Sequence, residues 1–195
     1  MDFLRYYFLE DTSVCDRLIE LHKNSEDKTP GYCYDPVTQT PQVDPKSKDS
    51  IDLELYPYEE DYKDGKIMPE AVWDYLGELQ KVCELYIKEF PTVDWYGQWS
   101  IIEPFNIQYY RPGGGFKIFH TERVGTKNLK RHLVWMTYLN DVTDQGETEF
   151  YHQGYKIKPE KGKTVIWPTD WTYTHRGIPS PTQEKYIITG WYNFW

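Results

Sequence analysis

The residues of this chain best suited to chemistry are two histidines and a glutamate that could hold a divalent metal ion: His120, Glu122 and His175. His120 and Glu122 stand in the stretch F-K-I-F-H-T-E, where Phe116, Ile118 and His120 alternate with other side chains as in a strand. Residues i and i+2 of a strand point to one face, so an imidazole and a carboxylate would project together. His175 would supply a third ligand, and such a set leaves other positions on the metal open.

Further recognisable stretches surround these residues in a fixed order. They are Tyr110 before the turn R-P-G-G-G, the buried-strand pattern H-L-V-W-M-T-Y-L-N-D (132–141), G-E-T-E-F (146–150), the turn K-P-E-K-G-K (158–163), and Lys185 at the start of K-Y-I-I-T-G-W-Y. In this combination the chain from Tyr109 to Trp191 resembles the core of the prolyl 4-hydroxylase-like group of iron- and 2-oxoglutarate-dependent dioxygenases. The resemblance implies that His120, Glu122 and His175 are the metal ligands and catalytic residues, in the facial triad of non-haem Fe(II) enzymes.

One residue departs from the pattern of that family. The family usually has H-x-D, whereas this chain has Glu122 at the carboxylate position. Glutamate is an acceptable carboxylate ligand, but its side chain is one methylene longer. We therefore expect either that the backbone lies slightly further from the metal or that the side chain folds back.

The resemblance also implies a set of residues that contact the cosubstrate. When 2-oxoglutarate chelates iron through its keto acid end, its second carboxylate reaches into the barrel and needs a countercharge, for which Lys185 is the candidate. Tyr110 and Tyr138 match family positions whose hydroxyls contact the cosubstrate, and Trp191 would form a wall of the pocket. The alternatives are a solvated lysine at a strand end and ordinary core aromatics.

Secondary-structure patterns predict a mainly β protein with flanking helices, of the α+β class. Helices are expected near 14–23 and from Pro69 to about Phe90, where apolar residues recur at three- and four-residue steps. Short strands separated by Gly- and Pro-containing turns follow residue 95, among them Phe116–Thr121, and indicate a β-sandwich or barrel. The resemblance implies a distorted double-stranded β-helix, which is a cupin-like jelly roll.

These elements predict a single dioxygenase domain over residues 1–195. Residues 1–95 would contribute a flanking strand, helices and a long loop, and residues 96–195 the double-stranded β-helix core. Positions 24–66 are polar and irregular with several prolines, which suits either a lid beside the site or a solvated insertion.

Composition narrows the classes of partner. A formal net charge of −9 argues against a nucleic-acid partner, and no apolar run approaches the ~20 residues that cross a bilayer. The three cysteines are expected to be reduced thiols, and the N-terminus is not a secretory signal. These features predict a cytoplasmic protein, with a monomer as the default oligomeric state.

The function that the resemblance implies is hydroxylation of a C–H bond, coupled to conversion of 2-oxoglutarate and O₂ to succinate and CO₂. Fe(II) and 2-oxoglutarate are the implied metal and cosubstrate, and ascorbate is a further candidate cofactor. A prolyl residue in a peptide or protein is the expected substrate by analogy with the family. A free amino acid or other small molecule, or a non-catalytic cupin-like module that binds a metal, are the alternatives.

Overall fold

The computed structural model describes residues 2–35, 38, 40–62 and 67–195 of the chain. Two α-helices are present in these ranges, α1 (Ser13–Asn24) and α2 (Glu70–Glu89). The strands of the N-terminal half are β1 (Arg5–Phe8), β2 (Thr29–Pro30), β3 (Cys33–Tyr34), β4 (Pro41–Gln42), β5 (Lys48–Asp49) and β6 (Ile51–Leu55). The later strands are β7 (Trp99–Ser100), β8 (Phe105–Tyr110), β9 (Gly115–Phe116), β10 (Arg131–Tyr138), β11 (Thr148–Phe150), β12 (Tyr155–Ile157), β13 (Lys163–Pro168), β14 (His175–Gly177) and β15 (Lys185–Phe194).

The larger sheet has eight strands. Its face turned away from the helices is called the floor. The order of the strands is β1-β13-β10-β15-β8-β6-β2, and β7 pairs with the far end of β15. All of these pairs are antiparallel, so alternate side chains of each strand share one face. The register places Lys185 opposite Tyr110 and Ile187 opposite Gln108, on the face turned away from the helices.

The smaller sheet faces this floor and has the order β12-β11-β14. An isolated antiparallel bridge between His120 and His175 extends it by one position. A Cβ added to Gly115 would lie 3.0 Å from the carbonyl oxygen of Gly177, so the backbones of β9 and β14 approach closely there. The residues predicted to bind metal therefore lie in this smaller sheet and beside it, opposite the floor.

The helices pack on the outer face of the larger sheet. Val72, Leu79 and Val82 of α2 are buried in the same apolar cluster as Trp135 and Ile166 of the sheet. Full burial of such an aliphatic side chain contributes about 1.5–3 kcal/mol. The helix-facing side of the sheet thus forms one hydrophobic cluster. A second cluster, which includes Val134, Val165 and Phe150, packs between the two sheets.

The predicted strand over Phe116–Thr121 is wrong. Only Gly115–Phe116 is a strand, and His120 makes an isolated bridge. The ring of Phe116 stacks on the ring of His120 with their centroids 3.7 Å apart. Four residues of strand would separate these positions by about 13 Å, so the chain must turn between them.

The irregular region at 24–66 contributes strands to the fold. It contains β2 to β6, and β6 joins the larger sheet next to β8, although residues 36, 37, 39 and 63–66 lie outside the described ranges. The larger sheet consequently draws strands from both sides of residue 95, and the single-domain organisation stays a prediction. Within the described ranges, no helix is long and apolar enough to span a bilayer.

Candidate active site

His120, Glu122 and His175 converge between the two sheets. One donor atom of each residue lies within 4.8 Å of the others. Glu122 Oε1 is 3.6 Å from His120 Nε2 and 3.4 Å from His175 Nε2. The backbones of the two histidines exchange hydrogen bonds of 2.9 Å in both directions. Two residues that are far apart in the sequence are therefore held side by side by backbone pairing.

Both imidazoles are oriented so that Nε2 can bind a metal. The Nδ1 atom of His120 is 3.0 Å from the carbonyl oxygen of Ile118, and that of His175 is 2.9 Å from the carbonyl oxygen of Tyr173. A carbonyl oxygen only accepts, so each Nδ1 must carry the proton and donate it. Each Nε2 is then left with its lone pair pointing at Glu122. Histidines that bind metals usually donate their other ring N–H in this way to a carbonyl or carboxylate.

The electrostatics of the three residues match a cation site. Burial tends to raise the pKa of Glu122, but the facing His120 and His175 side chains outweigh it and hold that pKa well below the ordinary value. Burial lowers the pKa of His120, and the neighbouring His175 lowers it further. A carboxylate beside a neutral imidazole is the ionisation state that Fe(II) requires, so this donor set fits the metal that the resemblance implies.

The second oxygen of Glu122 is bound on the side away from the histidines. Trp191 Nε1 donates to Glu122 Oε2 over 3.0 Å, and Arg131 Nη1 lies 3.5 Å from the same oxygen. The guanidinium carbon of Arg131 lies 3.3 Å from the centroid of the Trp191 ring. Arg131 in turn donates Nε and Nη2 to the two oxygens of Glu103, each at 2.9 Å. Trp191 thus lies beside the three residues and contacts the candidate ligand Glu122.

A cavity of about 800 Å³ extends from the three residues across the floor of the larger sheet. Its volume lies within the usual range of small-molecule and cofactor sites. The floor carries side chains from one face of four adjacent strands, namely Asp52, Glu54, Asn106, Gln108, Tyr110, Met136, Lys185, Ile187, Thr189 and Trp191. Tyr32, Tyr34, Ile118 and Phe119 also line the cavity, and each is exposed on at least 37% of its surface.

Lys185 places a cation inside this cavity. It is only 3% exposed, and its Nζ donates to the carbonyl oxygens of Gly146 at 2.8 Å and Ile178 at 3.4 Å. Among the described residues, no carboxylate lies within ion-pair distance of this Nζ. Burial lowers the pKa of Lys185 to about 8. An ammonium has three N–H donors, so one remains for a carboxylate, and the residue fits the far end of 2-oxoglutarate.

The two tyrosines predicted to contact the cosubstrate differ in position. Tyr110 lines the cavity next to Lys185, but its hydroxyl already donates to Gln108 Oε1 at 2.6 Å. Tyr138 is fully buried, and its hydroxyl donates to Thr148 Oγ1 at 2.6 Å. In the described part of the chain, Thr148 lines the cavity and Tyr138 does not. This geometry does not support a direct contact for Tyr138, which instead holds Thr148.

Sequence reasoning missed two charged pairs beside the cavity, the Arg131–Glu103 pair and an ion pair between Lys48 and Asp52. Lys48 Nζ lies 2.6 Å from Asp52 Oδ2, and both side chains are almost completely buried. Arg131 binds Glu103, and the nearby Arg123 binds Asp170. The four-residue spacing of Lys48 and Asp52 is a visible signal, whereas Arg131 and Glu103 meet only in the fold.

Comparison with known families gives one match. Residues 105–193 match the model of the 2OG-Fe(II) oxygenase superfamily. A probable prolyl 4-hydroxylase from Arabidopsis thaliana is 29% identical over 115 residues, which is 46% of this chain and 40% of the plant protein. The match thus spans well under two thirds of the length of that curated relative. All residues predicted here to bind metal or cosubstrate lie inside the matched region.

Solved structures of low sequence identity share the fold over the whole chain. A prolyl 4-hydroxylase from Pseudomonas putida superposes with a TM-score of 0.69 at 16% identity, covering 100% of this chain and 94% of that one. A Trichoplax adhaerens prolyl hydroxylase, solved with a peptide fragment of the hypoxia-inducible factor oxygen degradation domain, has a TM-score of 0.71 at 15% identity. That superposition covers 100% of this chain and 84% of the other. The predicted double-stranded β-helix with flanking helices is confirmed.

Proposed function

We propose that the chain, whose residues 105–193 match the model of the 2OG-Fe(II) oxygenase superfamily, is a dioxygenase that hydroxylates prolyl residues in a peptide or protein. The observation that carries the proposal is the presence of two complementary sites in one cavity. One is the convergence of His120, Glu122 and His175, and the other is the buried ammonium of Lys185.

In this proposal His120 and His175 bind Fe(II) through Nε2 and Glu122 binds it through a carboxylate oxygen. The Nδ1 atoms of His120 and His175 donate hydrogen bonds to backbone carbonyls, which keeps the two rings from turning. Lys185 binds the far carboxylate of 2-oxoglutarate and thereby orients the keto acid end towards the metal. Bound iron and 2-oxoglutarate supply the oxidising chemistry, and the protein supplies orientation and a pocket that excludes water.

The choice of a peptide substrate is supported by the mouth of the cavity. Tyr32, Tyr34, Ile118 and Phe119 line the cavity and remain 37–46% exposed. Contiguous exposed apolar side chains around a site mark a surface that a larger partner covers. Two relatives are also prolyl hydroxylases by name, and the Trichoplax structure holds a peptide. A free amino acid would leave most of this mouth uncovered.

The test is a panel of proline-containing peptides and free amino acids, incubated with the protein, Fe(II), ascorbate and 2-oxoglutarate in air. We expect a peptide to gain one oxygen atom on proline with an equal amount of succinate, measured by mass spectrometry. Alanine-substituted peptides and the His175→Ala protein are the controls. Succinate formed only with a free amino acid would overturn the substrate class, and failure to bind 2-oxoglutarate in calorimetry would favour a metal-binding module.

A further inference from the structure

Glu122 carries its two carboxylate oxygens in different surroundings. Oε1 faces the Nε2 atoms of both histidines, at 3.6 and 3.4 Å. Oε2 faces the opposite way and accepts the indole N–H of Trp191 at 3.0 Å. We propose that Trp191 and Arg131 are positioning residues that bind the outer oxygen of Glu122, so that this longer acid acts as a single-oxygen ligand. The proposal rests on the proposed function, because it concerns the ligand set of the same metal.

A glutamate at this position has a freedom that an aspartate lacks. Its additional methylene adds a rotatable bond, so an untethered carboxylate could turn away from the metal or chelate it through both oxygens. Chelation through both oxygens would occupy a position that 2-oxoglutarate or O₂ must use. A hydrogen bond from an uncharged N–H to Oε2 prevents both outcomes and leaves Oε1 with the histidines.

The Trp191 donor is itself held in place. The guanidinium of Arg131 stacks 3.3 Å from the centre of the Trp191 ring, which is close contact for a cation over an aromatic face. Arg131 is fixed by its two parallel hydrogen bonds to Glu103, which also balance its charge. Arg131 Nη1 and Asn128 Nδ2 further donate to the backbone carbonyl of Glu122, at 3.2 and 2.9 Å. Both ends of the Glu122 residue are therefore tied to this group.

The first experiment measures Mn(II) binding by electron paramagnetic resonance, with no cosubstrate or substrate present. Trp191→Phe keeps an aromatic ring and removes the N–H. We expect its Mn(II) affinity to fall about ten- to a hundredfold, which is the usual effect of losing a residue that hydrogen-bonds a metal ligand. Arg131→Lys keeps the charge but loses the planar fork, and should weaken Mn(II) binding in the same direction.

The matched control is Trp135→Phe. The Trp135 indole N–H is buried without a partner among the described residues, and its ring packs against Tyr75 and Phe105 on the helix side of the sheet. This substitution lowers stability without touching Glu122, so its Mn(II) affinity should equal that of the wild type. Equal losses in Trp191→Phe and Trp135→Phe would overturn the proposal.

A double-mutant cycle then asks whether Trp191 acts through Glu122. Glu122→Asp shortens the side chain by one C–C bond of about 1.5 Å, so one carboxylate cannot reach both the metal and Trp191. In that background, adding Trp191→Phe should change Mn(II) affinity by no more than about twofold. The same ten- to hundredfold loss in both backgrounds would contradict a positioning role, because a merely structural effect is additive.

The cycle separates this proposal from the proposed function. Mn(II) binding that responds as expected upholds the positioning role, even if no prolyl peptide is hydroxylated. If the wild type and Trp191→Phe bind Mn(II) with the same affinity, the positioning role is overturned and the dioxygenase proposal stays intact. A wild-type protein that binds neither Mn(II) nor Fe(II) would overturn both.

Discussion

Lys185 is a buried cation whose contacts in the described chain are two backbone carbonyls and the ring of Tyr110. Burying an ammonium without a countercharge is costly, and the lowered pKa of Lys185 reflects this cost. A protein retains such a residue where a ligand completes the pair. At the scale of single residues, Lys185 is therefore the clearest indication that the site binds an anion.

We predict that Lys185→Ala weakens 2-oxoglutarate binding strongly and leaves Mn(II) affinity nearly unchanged. Removing one partner of a buried charge pair costs about 3–5 kcal/mol, or roughly a hundredfold or more in affinity. Calorimetry of 2-oxoglutarate binding to the Mn(II)-loaded protein measures the effect. Lys163→Ala is the matched control, since Lys163 is also buried but binds Glu160 outside the cavity. Unchanged affinity in Lys185→Ala would remove this residue from the site.

We also predict a pH dependence of 2-oxoglutarate binding. Because the pKa of Lys185 is lowered to about 8, the amine is charged below that pH and increasingly neutral above it. Affinity should therefore be constant below pH 8 and fall by about tenfold per pH unit above it, until the pKa of the complex is reached. Lys185→Arg stays charged throughout and should lose this slope. An identical slope in Lys185→Arg would assign the dependence to another group.

At the scale of elements, the site depends on short segments that have no repeating pattern. The turn after β9 brings His120 onto β14, and the strands β3 and β5 bring Tyr34 and Lys48 to the cavity. Close to these residues, Lys127 Nζ lies 5.9 Å from the centre of the Tyr34 ring. Segments from two distant parts of the sequence therefore face each other at the mouth.

We predict that amide hydrogen exchange slows in residues 31–34 and 124–129 when a hydroxylatable peptide, Mn(II) and 2-oxoglutarate are bound. Both segments contribute residues to the cavity and contain only short regular elements, so covering them should add protection. The buried face of α2 serves as the internal reference. Equal exchange in the presence and absence of the peptide would reduce both segments to surface loops.

At this scale the sequence predicts the long elements well and the short ones poorly. The periodicity of α2 and the apolar run of β10 are sustained over many residues. They therefore predict the helix and the strand even where single residues favour another structure. The two-residue strands β3, β5 and β9 are too short to show a period. His120 and Glu122 do lie together, but through a turn stabilised by Phe116 and not through strand alternation.

At the scale of the whole molecule, the two faces of the larger sheet have different roles. The helix-facing side of the larger sheet is filled with apolar side chains, and its other side packs a second apolar cluster and carries the cavity under the smaller sheet. His120, Glu122, His175 and Lys185 could be proposed as site residues from the sequence because the motifs around them resemble those of a known family in a fixed order. The sequence could not place the Arg131–Glu103 pair or Tyr138, because their contacts depend on how distant segments meet.

The measurement that tests this account most directly is a crystal structure with Fe(II) and N-oxalylglycine, an unreactive analogue of 2-oxoglutarate. Diffraction data on both sides of the iron absorption edge locate the metal. We predict a single iron peak bound by His120 Nε2, Glu122 Oε1 and His175 Nε2, with the far carboxylate of the analogue on Lys185 Nζ. Iron bound away from these atoms, or an analogue that leaves Lys185 unpaired, would contradict this prediction.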